Sequence, residues 1–396
     1  MKKLLSVVLM AALLVMALAG CSAAGGKKDA DFKVGFIFLH DENSTYDKNF
    51  MDAATAATEK LGLSKDQVMF KTNIPESNEC YEAAAELVDA GCDVVFADSF
   101  GHESFMLQAA QEFTNVQFCH ATGTQAHTAN VANFHNAFAS IYEGRYLAGI
   151  AAGMKLNEMI DNGVITADQA KMGYIGAYPY AEVKSGYTSF YLGAKSVCPS
   201  VTMDVKFTNS WFDIAKEKEA AISLINDGCV LISQHADSEG APKACEENNV
   251  PNVAYNISTI SIAPNTALIS SKIDWTPYFE MMIKNAMEGK EIPTDYCATA
   301  AEGAVILTEL NTACAAAGTQ EAIDAAKAKL ASGELQVFDT ATFTVGGQTL
   351  TSYMADVDSD EAYTPDTEVV ANGCFQESKF RSAPYFDVDI DGITLK

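Results

Sequence analysis

The side chains best able to do chemistry fall in a few short polar stretches of this 396-residue chain. The first runs from His40 to Phe50 and holds Tyr46 and Asp47; the second is Asp98-Ser99-Phe100-Gly101-His102. In the second half come Asn209-Ser210-Trp211-Phe212-Asp213 and Gln234-His235-Ala236-Asp237-Ser238. Together they offer aromatic faces and hydrogen-bonding groups rich in carboxylate. Such a set suits a flat heteroaromatic ligand, because aromatic rings stack on its π faces and ionised carboxylates, which only accept, take its N–H or hydroxyl donors. Plainer roles fit the same residues. Asp47 is equally suited to capping a helix N-terminus, and Phe100 and Trp211 to filling a core.

Patterns for bond-making chemistry are absent from the sequence. It has no GxSxG, no HExxH and no Walker A run. None of its six histidines pairs with another at the i, i+4 spacing of a helical metal site. A binding protein without enzymatic activity, metal or cofactor is the expectation. The formal net charge of −26 argues against nucleic acid and anionic lipid surfaces as partners, since both call for a basic patch. Arg145 and Arg381 are the only arginines, too few for a clamp on a multiply anionic ligand. A neutral ligand fits better.

The elements that must position these residues alternate. Short apolar runs read as strands at Lys33 to Leu39, Val68 to Asn73, Val94 to Ala97, Val116 to Ala121 and Val131 to Phe134, with helices at Asn49 to Leu61, Glu79 to Ala90 and Phe105 to Phe113 between them. The order repeats with strands at Lys171 to Ala177, Met203 to Phe207, Val230 to Gln234, Asn252 to Tyr255 and Ala267 to Ile273, and helices at Glu182 to Ser196, Ala215 to Asp227 and Ser238 to Asn248. This is the pattern of two α/β lobes with parallel sheets covered on both faces. Both halves carry the phrase helix, Gly, Cys, strand, at Gly91-Cys92 and Gly228-Cys229. In such sheets ligands bind beyond the carboxyl ends of the strands, which is where the polar stretches lie. Farther on, helices are expected at Pro277 to Glu288 and Ala322 to Ser332, a strand and hairpin at Gly333 to Leu350, and a solvated acidic loop at Asp356 to Glu368.

The N-terminus reads as an export signal: Lys2-Lys3, an apolar run from Leu4 to Leu18 that is too short for the ~20 residues of a spanning helix, then Leu18-Ala19-Gly20-Cys21. Residues 1–20 form the expected leader, Cys21 the lipid anchor, and 21–31 a flexible tether. Cleavage would leave nine of the ten cysteines besides Cys21 itself; with no CxxC pair and several of them in apolar runs, most are expected to be buried free thiols.

Several phrases carry a resemblance: Tyr142-Glu143-Gly144-Arg145-Tyr146-Leu147-Ala148-Gly149, Lys171-Met172-Gly173-Tyr174-Ile175-Gly176-Ala177, Leu192-Gly193-Ala194-Lys195-Ser196-Val197, Trp211-Phe212-Asp213 with Ala215-Lys216-Glu217, and Gln234 to Ser238. From about Phe32 to Pro293 the chain resembles the basic membrane lipoprotein family, the purine nucleoside receptor type of ABC-transporter solute-binding proteins. The resemblance implies an α/β, type I periplasmic-binding fold, two Rossmann-like lobes joined by a hinge and closing on a purine nucleoside or nucleobase. It places lobe 1 at about 32–140 plus part of 275–300, and lobe 2 at about 141–274 plus part of the C-terminal segment. By motif position Asp47 and Phe50 resemble the family's first-loop acid and aromatic, Phe100 its lobe 1 aromatic, and Trp211 and Asp237 its lobe 2 contacts. Tyr46, Asp213, Gln234 and Trp275 join them as ligand-binding candidates. Asn256 stands where many relatives have a sugar-binding aspartate, and Lys272 matches a ligand-facing lysine. The implied protein is a monomer on the extracytoplasmic face of the cell membrane, with ABC permease subunits as partners. The competing reading is a ligand-sensing lipoprotein that signals to a membrane receptor.

Overall fold

The structure, a computed structural model, describes residues 31–357 and 366–396; the leader, Cys21, nearly all of the tether and most of the acidic loop lie outside them. Lobe 1 runs β1 (Val34–Ile37), α1 (Thr45–Lys60), β2 (Val68–Lys71), α2 (Asn78–Asp89), β3 (Val94–Ala97), α3 (Glu103–Glu112), β4 (Gln117–Ala121), α4 (Ala126–Ala129) and β5 (Phe134–Ala139). Lobe 2 continues with α5 (Ile141–Asp161), β6 (Lys171–Gly176), α6 (Ala181–Val197), β7 (Thr202–Phe207), α7 (Ile214–Asn226), β8 (Leu231–Gln234), α8 (Gly240–Asn248), β9 (Asn252–Tyr255) and β10 (Ala267–Ile273). The chain then returns to lobe 1 for α9 (Thr276–Glu288) and β11 (Asp295–Ala298), and goes back to lobe 2 for β12 (Val305–Leu307) and α10 (Thr319–Ser332). The C-terminal segment adds two small hairpins, β13 (Met354–Ala355) with β14 (Thr367–Glu368) and β15 (Val370–Ala371) with β16 (Cys374–Phe375), then β17 (Ile393–Leu395).

The two sheets are ordered β11-β5-β4-β3-β1-β2 and β12-β10-β9-β8-β6-β7-β17, parallel throughout except for β12 against β10. In each lobe the first strand lies between the second and third, so chain direction reverses beside β1 in one sheet and β6 in the other. A crevice opens at such a switch point beyond the strands' carboxyl ends. Central strands such as β1, β3 and β8 are buried along their whole length, and apolar cores lie on both faces of each sheet. The connections between lobes lie side by side, with Ser140 N–H donating to Ala298 O (2.9 Å) and Asp274 N–H to Ala304 O (2.9 Å).

The repeated phrase has a structural cause. Gly91 and Gly228 both adopt φ +90°, the left-handed turn that ends a helix and that glycine accommodates without a Cβ clash. Each turn is tied down from the first strand of its lobe, by Lys33 Nζ donating to Ala90 O (2.9 Å) and Lys171 Nζ donating to Asp227 O (2.6 Å). Glycines in the other phrases permit close helix packing: a Cβ on Gly149 would stand 2.1 Å from Phe190 O, and one on Gly193 2.0 Å from Tyr146 O. Helices α5 and α6 thus meet backbone to backbone.

Some expected elements are corrected. The strand expected at Val131 to Phe134 is β5, running on to Ala139 through two polar residues. His135 is held by Gln117, and Asn136 accepts from Ala126 N–H (2.7 Å), so each is buried with one polar atom paired. Helix α5 was not among the expected elements, because it is apolar on nearly every side and shows no amphipathic period. The stretch from Gly333 to Leu350 forms no strand; its sheet-like features are two isolated bridges, Asp339 with Cys374 and Val345 with Gln348, the latter held over Asp391. The nine cysteines from Cys80 onward are free thiols, six of them buried.

Candidate functional site

The residues that follow β1, β3, β4, β6, β7 and β8 line a narrow cavity between the lobes. Lobe 1 supplies Leu39, His40, Tyr46, Asp47, Ser99, Phe100 and Thr122; lobe 2 supplies Glu182, Trp211, His235 and Asp237. The lobes are closed on each other. Thr45 N–H donates to Asp237 O (2.8 Å), the Thr45 hydroxyl donates to the same oxygen (3.0 Å), and Phe100 meets Tyr180 at 5.6 Å between ring centroids.

Asp47 sits in the first turn of α1. Its carboxylate accepts from His40 N–H (2.8 Å) and from the Ser44 hydroxyl (2.6 Å), and the His40 ring nitrogen lies at 3.3 Å. Burial works to raise its pKa, but these hydrogen bonds outweigh burial and hold the carboxyl below the ordinary value. The helix N-cap is Ser44, whose hydroxyl accepts from Asp47 N–H. Asp98, behind the wall, accepts from Leu39 N–H (3.2 Å), and its carbonyl accepts from Tyr46 Oη (2.9 Å). Burial, with Asp47 nearby, pushes Asp98 well up. Asp237 is pushed well up too, by burial and by the carboxylates of Glu217, Asp47 and Glu182.

Under the lobe 2 strand ends lies Arg145, 1 % exposed, with its guanidinium 3.4 Å above the Tyr255 ring and Nη1 donating to Gln234 O (2.9 Å). No lysine or arginine is among the residues lining the cavity. Its walls include aromatic side chains from both lobes, Tyr46 and Phe100 from lobe 1 and Trp211 from lobe 2, and three carboxyl groups, those of Asp47, Glu182 and Asp237. An occupant gains stacking and donates hydrogen bonds; an anion would meet like charge.

Of the candidates read from sequence, Tyr46, Asp47, Phe100, Trp211 and Asp237 come together at this cavity. The others lie elsewhere. Phe50, one turn along α1 from Tyr46, points into the lobe 1 core and stacks on Trp275 at 4.5 Å, both almost fully buried. Asp213 caps α7 by accepting from Lys216 N–H (3.0 Å). Gln234 turns its amide onto Ala236 O (2.7 Å) and Ser238 O (2.9 Å), shaping the loop that carries His235 and Asp237. Asn256 is buried at φ +70° behind the wall, and Lys272 faces a separate surface groove beside Glu42, Lys48 and Glu309. Sequence reasoning had not selected Leu39, His40, Ser99, Thr122, Glu182 or His235. Glu182 follows β6 by six residues, and the strand-end rule applied to β6 would have found it.

A sequence profile described as "ABC transporter substrate-binding protein PnrA-like" matches residues 36–339. The chain belongs to this family. A purine-binding protein of Brucella abortus is 34% identical over 67% of this chain and 72% of its own length. A putative ABC transporter glucose-binding protein of Haloferax volcanii is 30% identical over 65% of this chain, which spans 58% of that protein. An ABC transporter nucleoside-binding protein of Lactococcus lactis is 24% identical over 60% of this chain and 66% of that one. Solved solute-binding proteins of ABC transporters from Conexibacter woesei (TM-score 0.62, 19% identity, 77% of this chain and 98% of that one) and Aeropyrum pernix (TM-score 0.64, 16% identity, 78% and 93%) share the fold. This PnrA-like protein therefore has the type I periplasmic-binding architecture and is an extracytoplasmic substrate-binding protein of an ABC transporter. Among its described residues no helix is long and apolar enough to cross a membrane. The match ends before the C-terminal segment, so residues 340–396 lie outside the matched span.

Proposed function

We propose that this PnrA-like protein captures a purine nucleobase or nucleoside between its lobes and delivers it to the permease subunits of an ABC importer, with hinge closure and no chemical step. The observation that carries the reading is the meeting, between the closed lobes, of an aromatic from each lobe with carboxyl groups, of which Asp47 is held ionised and can only accept. A purine presents two π faces and a rim of N–H and amino donors, and a nucleoside adds hydroxyl donors. The names of the Brucella abortus and Lactococcus lactis relatives point the same way.

A thermal-shift panel of purine bases, nucleosides, glucose and amino acids tests it. A ligand at a hundred times its Kd stabilises the native state by about 2.7 kcal/mol, so a true binder raises Tm by several degrees. Glucose belongs in the panel because the Haloferax volcanii relative is named for it. Stabilisation by glucose with none by any purine would remove the purine assignment and leave the fold intact.

The same proposal places the protein as a monomer on the outer face of the cell membrane, held through a lipid on Cys21. Export with Cys21→Ser should move the protein from the membrane fraction to the soluble fraction. Retention of the variant in membranes would show that the anchor lies elsewhere.

A further inference from the structure

The C-terminal segment touches both lobes at a place apart from the crossovers β5 to α5, β10 to α9 and β11 to β12 that join them. Residues 353–356 and 381–387 wall one side of the cleft mouth, opposite Phe100, Thr122 and Thr124 of lobe 1. None of that wall falls within the residues matched to the family.

The segment's hold on lobe 2 is broad. Tyr385, Phe386, Val388 and Ile390 are buried in the core that Tyr174 and Phe190 help to build. Strand β17 extends the lobe 2 sheet beside β7, and Lys184, at the start of α6, pairs with Asp387 (2.7 Å) and Asp389 (3.2 Å). Arg381 donates from Nε, Nη1 and Nη2 to the carbonyl oxygens of Ala383, Asp356 and Pro384, each at 3.1 Å, and so staples the two stretches of the wall together. The segment is therefore part of the lobe 2 body.

Its hold on lobe 1, among the described residues, is narrow. Ser382 N–H donates to Asp295 Oδ2 (2.9 Å) at the start of the edge strand β11, and the His127 ring nitrogen bonds Val357 O (2.6 Å). Asp295 and His127 lie side by side, 4.0 Å apart, so the two contacts make one patch. Val357 is itself buried in the lobe 2 core and cannot follow lobe 1 away. A rotation that opens the cleft turns one lobe against the other about the crossovers. It leaves the broad attachment whole and breaks the narrow one.

We propose that the C-terminal segment is a latch, rooted in lobe 2, that clips onto lobe 1 at Asp295 and His127 and biases the hinge toward the closed state. The bias does not depend on which solute the cleft takes. Bonds made in the closed state and lost in the open one shift the balance between them by their own net strength, about 2- to 13-fold for each hydrogen bond. Solute entry and release both wait on the unclipping of this patch.

Hydrogen exchange on the ligand-free full chain tests the latch. Thr45 N–H donates across the lobes to Asp237 O (2.8 Å), so its protection reports closure. The Ser382 amide reports the clip, and the amides of β3, inside the lobe 1 sheet, report the folding of that lobe. The double variant Asp295→Ala with His127→Ala should expose the Ser382 amide and speed exchange at Thr45 by about 5-fold or more, with β3 unchanged. Asp295→Asn keeps an acceptor oxygen and should leave Thr45 within about twofold of the parent. A Thr45 amide that exchanges in the double variant as slowly as in the parent would overturn the latch, leaving a segment that rests on lobe 1 without holding it. Acceleration in β3 equal to that at Thr45 would overturn it too, because lobe 1 would be loosening rather than parting from lobe 2. So would an Asp295→Asn protein as fast at Thr45 as the double variant, since the hydrogen bond would then not be what holds.

Discussion

Trp211→Ala is expected to weaken purine binding by about 5- to 150-fold, while Trp275→Ala is expected to cost the fold about 3–5 kcal/mol. The two tryptophans of the chain make the contrast direct. Trp275 is 2 % exposed, stacked on Phe50 and in edge contact with Phe96 and Phe138, at the centre of the lobe 1 core. Removing it leaves a large cavity that rigid strands and helices cannot close. Trp211 instead stands half-buried at the carboxyl end of β7, against Tyr178 (5.1 Å) and Tyr180 (6.0 Å), with a face lining the ligand cavity. Its loss removes one stacking partner, worth about 1–3 kcal/mol for a base, and should shift apo stability by only about 1 kcal/mol. Urea titration of the two apo variants, beside purine titration of Trp211→Ala, reads the outcome. A Trp211→Ala protein that binds purines with unchanged affinity would remove this side chain from the site; one that fails to fold would make it core.

The same pair shows how far the sequence could be read. Strand and helix order was legible because the buried parallel strands are short apolar runs, and rules for such sheets lead directly to the loops after β1, β3, β7 and β8. Those loops hold the candidates that converge. What could not be read is which way a residue turns within its loop or helix. Phe50 and Tyr46 lie one turn apart on α1, yet one enters the core and the other the cavity. Motif position favoured Phe50, but the direction of its side chain depends on how α1 packs against α9, a tertiary fact. Lys272 and Asn256 show the same limit in lobe 2, where a single step along a strand exchanges one face of the sheet for the other. The C-terminal wall was illegible for another reason: its strands are two or three residues long, and its shape comes from Arg381, Lys184 and their distant partners rather than from any periodic pattern.

The apo protein should be most stable in mildly acid solution and lose several kcal/mol between about pH 5 and 8. Glu217 is fully buried behind the Asp237 loop, accepting from Ser238 N–H (3.1 Å) and Asp213 N–H (3.2 Å), and burial raises its pKa to about 7 against those bonds. Glu377, 5% exposed within the C-terminal segment, is likewise raised by burial to about 7. An unfolded glutamate titrates near about 4.3. Between that value and about 7 the native state holds protons that the unfolded state has released, so stability falls as pH rises through this window. Each group contributes a loss of about 3–4 kcal/mol, at 1.36 kcal/mol per unit. Asp98 and Asp237, also raised by burial, act in the same direction. Asp47 acts oppositely: its lowered pKa gives stability that is present above the ordinary aspartate value of about 3.9 and lost as acid protonates it. The optimum therefore lies where these windows meet, near about pH 4. Urea unfolding across pH 4 to 9 measures the profile, and Glu377→Gln separates the contributions. An amide keeps an acceptor for Tyr385 N–H (3.4 Å) and carries no charge to bury, so on going to pH 8 this variant should lose about 3–4 kcal/mol less stability than the parent. A parent protein equally stable or more stable at pH 8 than at pH 5 would mean that these buried acids reach water or a cation in solution.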